Sequence, residues 1–299
     1  MRDHDHMNLF WPKGFRAALL GFALLLAMAP AFAQTKSAAP SATRTQLLTV
    51  EQAQALVRSS PKDPSAYLQL GSAYRRARKY DDALHAFQKL ATLAPNAAAT
   101  HVSLGAVYMD MNRPKDALKS FQKAIQLDPK DPSAHYNLGN YYLTLGQRDD
   151  AFASFRKATE LDPPIVEAWV NLGLIQAELG KPEEAVASYK KAVSLDSTNV
   201  HALCNLGNAY YGMGRITDAT SLYRKALQLD PLSQEANYNM GVAFADAQIY
   251  KEAIRYWRKV AEIDSTNAAG EMAKNSIQVL QDFLDQQKKT SAAPTTGNQ

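Results

Sequence analysis

The side chains in this sequence that carry chemistry are few, and most of them are regularly placed. Cys204 is the single cysteine, with no CxxC partner and no second thiol to bridge. His101 and His135 stand thirty-four residues apart, while His85 and His201 stand alone. A zinc site needs several ligands converging on one point, which neither spacing supplies. No glycine-rich phosphate loop and no serine elbow is present. For Cys204 and the histidines a packing role is therefore expected, with a groove thiol as the alternative for Cys204. Amides are what recur. Asn137, Asn171, Asn205 and Asn239 follow one another at intervals of thirty-four, and Asn140 and Asn208 stand three residues after the first and third of them. A carboxamide offers two N–H donors and an acceptor oxygen. That chemistry grips a peptide main chain or a sugar hydroxyl and breaks no bond. The expectation is a binding protein with no catalytic residues, no cofactor and no metal.

The interval of thirty-four belongs to the whole chain. Gly71, Gly105, Gly139, Gly173, Gly207 and Gly241 keep it without a slip, each preceded by Leu70, Leu104, Leu138, Leu172, Leu206 or Met240. Twelve residues after each glycine comes Ala83, Ala117, Ala151, Ala185, Ala219 or Ala253. Four further on stands Phe87, Phe121, Phe155, Tyr189, Tyr223 or Trp257. Within a copy, Tyr67, Leu70, Gly71 and Tyr74 fall on one face of a helix, and Ala83, Phe87 and Leu90 on one face of a second. The glycine and the alanine mark where the two helices cross, and the aromatic fills the space beside them. Asp63-Pro64 and Asp131-Pro132 read as N-caps with proline at the first helical position. Gly146, Gly180 and Gly214 read as left-handed residues ending the first helix. Pro95, Pro129, Pro163 and Pro231 punctuate the exit of the second.

This pattern resembles the tetratricopeptide repeat, a thirty-four-residue helix-turn-helix with W-x₂-L-G-x₂-Y, A-x₃-F and P positions. Trp169, Leu172 and Gly173 reproduce its first half, with Gln176 in place of the aromatic. The resemblance implies an all-α fold, a right-handed superhelical solenoid of six helix-turn-helix repeats with capping helices at both ends. Repeats are placed at 64–97, 98–131, 132–165, 166–199, 200–233 and 234–267. The first copy has Arg78-Lys79 at its turn and the sixth Gln248-Ile249, departures expected where a repeat has one neighbour. An N-terminal capping helix is expected over 49–61. A C-terminal one over 268–287 carries Met272, Ala273, Ile277, Leu280 and Leu284 at helical spacing. Residues 34–48 and 288–299, rich in Ala, Ser, Thr, Pro and Gln, read as linker and tail.

Ahead of the repeats, Lys13 and Arg16 precede an apolar run from Ala17 to Ala29, and Ala31-Phe32-Ala33 supplies a small-x-small site. This reads as a secretory signal peptide over 1–33, cleaved near Ala33. The run is short for a membrane anchor, which needs about 20 residues. No cysteine follows it to carry a lipid. Translation from Met7 in place of Met1 gives a cleaner signal, since Asp3 and Asp5 are odd in a basic leader. A periplasmic or secreted location follows, with membrane involvement only through export or envelope complexes. A net charge of +4 over 299 residues, without any run of like charge, argues against a nucleic-acid partner.

In the resembling family the first helices line a concave surface at positions 2, 5, 6, 9, 12 and 13. The asparagines then form a row facing a ligand, similar to the asparagine ladder of O-GlcNAc transferases, which grips peptide main chain. The alternative is that asparagine is merely a tolerated polar residue of the consensus. Tyr136, Tyr211 and Tyr238 stand beside the row as anchors for a partner, or as packing against the neighbouring repeat. Arg75 and Arg76 against Glu167, Glu235 and Asp246 suggest a surface basic at its start and acidic at its end. Position 5 reads Leu68, Val102, Tyr136, Val170, Cys204 and Tyr238, without the lysine of a carboxylate clamp for acidic tails. The expected function is a non-catalytic scaffold of the bacterial envelope that binds an extended peptide or partner protein. A glycan- or peptidoglycan-binding module, or the targeting subunit of an enzyme complex, is the alternative.

Overall fold

The computed structural model describes residues 47–162 and 164–291. The expected signal peptide (1–33), most of the linker (34–46), Pro163 and the end of the tail (292–299) lie outside the described residues. So do both candidate start methionines. Among the described residues every element is a helix. These are α1 (Val50–Ser59), α2 (Pro64–Arg76), α3 (Tyr80–Leu93), α4 (Ala98–Asp110), α5 (Pro114–Leu127), α6 (Pro132–Thr144) and α7 (Arg148–Glu160). They continue as α8 (Val166–Glu178), α9 (Pro182–Leu195), α10 (Val200–Gly212), α11 (Ile216–Leu229), α12 (Gln234–Asp246), α13 (Tyr250–Ile263) and α14 (Ala268–Ser291). The helices group into two compact units, residues 47–181 with α1–α8 and residues 182–291 with α9–α14. None of the described helices is long and apolar enough to cross a membrane.

Local chemistry explains the helix ends. Thr49 and Gln52 form a capping box that starts α1. Asp63 and Asp131 accept from the backbone of Ser65 and Ser133, with Pro64 and Pro132 opening α2 and α6. Asn199 and Ser233 cap α10 and α12 in the same way. Each hairpin turn closes with one bond from the residue after the left-handed position, such as Gln147 N to Tyr142 O at 2.9 Å and Arg215 N to Tyr210 O at 2.8 Å. Gly146, Gly180 and Gly214 hold that position at φ 72–76°. Arg78, Asn112 and Gln248 hold it at 55–61°, so the turn keeps its geometry where glycine is absent.

Inside the hairpins α2–α3, α4–α5, α6–α7, α10–α11 and α12–α13 the aromatic lies directly on the glycine. A methyl built on Gly139 would stand 2.6 Å from Phe155 Cε1. Gly71, Gly105, Gly207 and Gly241 meet Phe87, Phe121, Tyr223 and Trp257 in the same manner. The space that glycine leaves is thus occupied by a ring, and the fully buried alanines Ala83, Ala117, Ala151, Ala219 and Ala253 hold the second helix close. In the N-terminal unit Phe87 and Leu90 pack with Leu104 and Val107, and Phe155 with Leu172 and Ile175. In the C-terminal unit Trp257 and Val260 pack against Ala269, Ala273 and Leu280 of α14, so that helix covers the last hairpin. α14 runs on to Ser291, which corrects the expected start of the tail at 288. Gln286, Gln287, Lys288 and Lys289 are good helix formers, and the lysines suit a helix C-terminus.

Candidate functional site

Side chains on the first helices of consecutive hairpins bond to one another in a fixed register. Asn171 Nδ2 on α8 donates to Asn140 Oδ1 on α6 at 3.1 Å. Asn239 Nδ2 on α12 donates to Asn208 Oδ1 on α10 at 2.7 Å. Both pairs join position 6 of one repeat to position 9 of the repeat before it. Asn208 Oδ1 also accepts from Tyr223 OH at 2.8 Å, which fixes that carboxamide from below. Asn137, whose preceding repeat has Ala106 at position 9, turns back to donate to Ser133 O of its own helix at 2.8 Å. Asn205 is half-buried.

The six amides are therefore not equivalent. Asn171 and Asn239 are only 7% and 4% exposed, being spent on the link between repeats. Asn137, Asn140, Asn205 and Asn208 keep partial exposure. Whichever way the two carboxamides of a pair are oriented, one donates and one accepts. Asn140, whose Oδ1 takes one bond in the link, keeps a donor and an acceptor lone pair for a further partner, and Asn208, whose Oδ1 already accepts twice, keeps its donor.

The tyrosines divide as well. Tyr238 is 1% exposed, packs its ring on Trp257 at 6.1 Å, and shares a hydrogen bond with Ser276 of α14 at 3.1 Å. The expectation of a surface anchor there is corrected: α14 covers it. Tyr136 makes the same contact with Phe155, centroids 5.8 Å apart, and stays half-buried beside Asn140. Burial raises its phenol above the usual value, partly offset by a hydrogen bond with Asn140. Tyr211 donates to Asp246 of the next first helix. Arg75 and Asp110 form the equivalent link at 2.5 Å in the N-terminal unit.

Several of the charged side chains expected to set a gradient are engaged in such links. Arg76 donates to Leu48 O, and His201 bonds Glu235 at 3.2 Å. Arg75 is in an ion pair with Asp110, whereas Arg76 and Asp246 are bonded to neutral groups and keep their charge. The Glu235 hydrogen bond raises the His201 pKa above its usual 6.5. Cys204 is fully buried against Leu203, Ala226 and Ala236, and burial pushes its thiol well up. Of the two readings weighed for it, the structure has packing.

His101 and His135 have an explanation of their own. Each imidazole bonds the carbonyl of the proline six residues earlier, Pro95 at 2.9 Å and Pro129 at 3.0 Å. Tyr67 and Asn237 do the same to Pro61 and Pro231. Four side chains at position 4 give this closure, a pattern visible in sequence once the register is known, whereas the buried indole N–H of Trp169 at the same position has no hydrogen-bond partner. Among the described residues no group of three or more His, Cys, Asp or Glu side chains is placed to hold a metal ion.

A thirty-four-residue hairpin closed by glycine on aromatic and stacked through its first helices defines a tetratricopeptide-repeat protein. More narrowly, residues 23–278 match the family described as the Cilia and flagella-associated protein 70 C-terminal domain, and the chain belongs to that family. No curated protein matches the chain significantly. Among solved structures it resembles Pseudomonas aeruginosa PilF, with TM-score 0.62, 19% identity and coverage of 71% of this chain and 97% of that one. PilW, described as a widely conserved type IV pilus biogenesis factor, gives 0.61, 18%, 70% and 97% on the same measures. YrrB, described as a TPR protein with an unusual peptide-binding site, gives 0.50, 24%, 63% and 97%. At these identities the likeness is one of fold.

Proposed function

We propose that this protein is a non-catalytic scaffold that holds an extended stretch of polypeptide by its main chain along the first helices. The observation that carries the reading is the recurrence of the same Asn–Asn bond, Asn171 to Asn140 and Asn239 to Asn208, once in each unit. A peptide bond presents one N–H and one C=O; Asn140 offers the complement of both, and Asn208 a donor to the C=O. Asn140 and Asn208 are the contact residues, while Asn171 and Asn239 are positioning residues that hold them. Tyr136 and Asn137 border Asn140 in the N-terminal unit, and Asn205 and Tyr211 stand on the helix of Asn208 in the C-terminal unit. The ligand is selected chiefly by hydrogen bonding and shape. An exported, envelope location suits the apolar run and small-x-small site that precede the repeats, and is part of the proposal. The test is selection of binders from a random linear-peptide library, with a glycan panel in parallel. The proposal expects peptides whose affinity falls roughly tenfold with Asn140→Ala or with Asn208→Ala, according to the unit that holds them, since each change loses about 1–1.5 kcal/mol of hydrogen bonding. Binding confined to glycans, or peptide binding indifferent to both substitutions, overturns it.

A further inference from the structure

The turn between α11 and α12 breaks the pattern of its own repeats. Leu232 is 63% exposed, where the other inter-repeat turns hold Asn96, Lys130, Pro164, Thr198 and Thr266 at the same position. Leu229, three residues earlier, is 44% exposed, whereas its counterparts Leu93, Leu127, Leu161, Leu195 and Ile263 are half-buried. Two leucines at the tip of a turn, with Pro231 between them, gain nothing from water.

The helices around this turn carry cations that the linear sequence scatters. Arg224-Lys225 on α11 recur thirty-four residues away as Lys190-Lys191 on α9 and Arg258-Lys259 on α13. The common register puts one basic dyad on the outer side of each second helix of the C-terminal unit. Lys225 and Leu229 are four residues apart, on one face of α11. Lys190 sits over the Tyr210 ring at 5.8 Å. Lys191, Arg224, Lys225, Arg258 and Lys259 make no ion pair among the described residues. Of the acidic groups close by, Asp218 is held in an ion pair, while Asp230 and Glu262 keep their charge and are outnumbered by the five cations. Asp230 Oδ1 accepts from Leu232 N at 3.0 Å, and Asp218 is paired with Arg215. Glu262 lies one turn beyond Arg258.

We propose that this turn is a contact with an anionic lipid surface. Leu229 and Leu232 enter the headgroup boundary, and Arg224 and Lys225, flanked by Lys191 and Lys259, engage lipid phosphates. Protruding leucines need a yielding apolar layer, and cations set just behind them need negative charge at its surface. An anionic bilayer supplies both at that spacing. An acidic protein segment would satisfy the cations and leave the leucines wet.

The test uses the full chain carrying Leu232→Cys labelled with an environment-sensitive fluorophore. Cys204 is buried and its thiol pKa is raised, so the label goes to one site. The matched control carries the label at Asn96→Cys. Both chains share the apolar run at 17–29, so any binding through that run is common to both. The proposal expects a blue shift at position 232 on phosphatidylglycerol vesicles, none on phosphatidylcholine vesicles, and none at position 96. Adding Arg224→Glu and Lys225→Glu is expected to weaken the vesicle concentration dependence about tenfold, with helicity unchanged. No shift at 232, or an equal shift at 96, overturns the proposal. So does a salt-sensitive response to polyglutamate with none to vesicles.

Discussion

Gln248 holds a φ of 61° at the turn where Gly146, Gly180 and Gly214 hold 72–76°. A side chain in that region costs about 1–2 kcal/mol, part of which glycine returns to the unfolded chain. Gln248→Gly is therefore expected to raise stability by about 0.5–1 kcal/mol, read as a higher denaturant midpoint at constant slope. A lowered midpoint contradicts the turn assignment. Gly139→Ala goes the other way. Its methyl meets the Phe155 ring, and overpacking costs about 1–3 kcal/mol. Pairing it with Phe155→Leu is expected to cost less than the sum of the two single changes. His201 supplies a pH test. Its pKa is raised by Glu235, so the pair stabilises the fold below the unfolded value near 6.5 and loses that contribution as pH rises through the higher folded value. The side chain is 68% exposed, which holds the effect to well under about 1 kcal/mol. An NMR titration above the usual value, lowered by Glu235→Gln, is the expected result.

At the scale of elements, periodicity made the hairpins legible. Gly71 to Gly241 set the register, the aromatics twelve plus four residues later set the second helix, and Asp-Pro pairs set two of the starts. Side-chain pairing across elements was less legible. Tyr238 looked identical in role to Tyr136 because both stand at position 5; only the placement of Ser276 and Leu280 on α14 shows that one is covered. Asn171 and Asn239 looked like ligand contacts because the 6-to-9 link between repeats is a property of stacking, which a single helix face does not reveal. The dependence on α14 can be measured. Trp257 is fully buried between α12 and α14 and its indole donates to Tyr238 O at 3.2 Å. Trp257→Ala is expected to cost about 3–5 kcal/mol and to free α14, seen as faster amide exchange there. Unchanged protection in α14 contradicts its assignment as the cover.

For the molecule as a whole, repeats conserve the frame and vary what each face presents. The same interval of thirty-four that gives the core also repeats an Asn pair on the first helices of each unit and the basic dyads on second helices of the C-terminal unit. Counting charge along the chain missed the second of these, because one dyad per thirty-four residues makes no run. The central claim is recognition of peptide main chain by Asn140 and Asn208. It is tested most directly with a peptide selected for binding, resynthesised with single backbone N-methylations and, separately, single alanine side chains. The account expects at least one N-methylated position to lose about tenfold or more in affinity, with that loss absent in Asn140→Ala or Asn208→Ala. Affinity set only by the alanine replacements, with every N-methyl peptide binding as well as its parent, contradicts it.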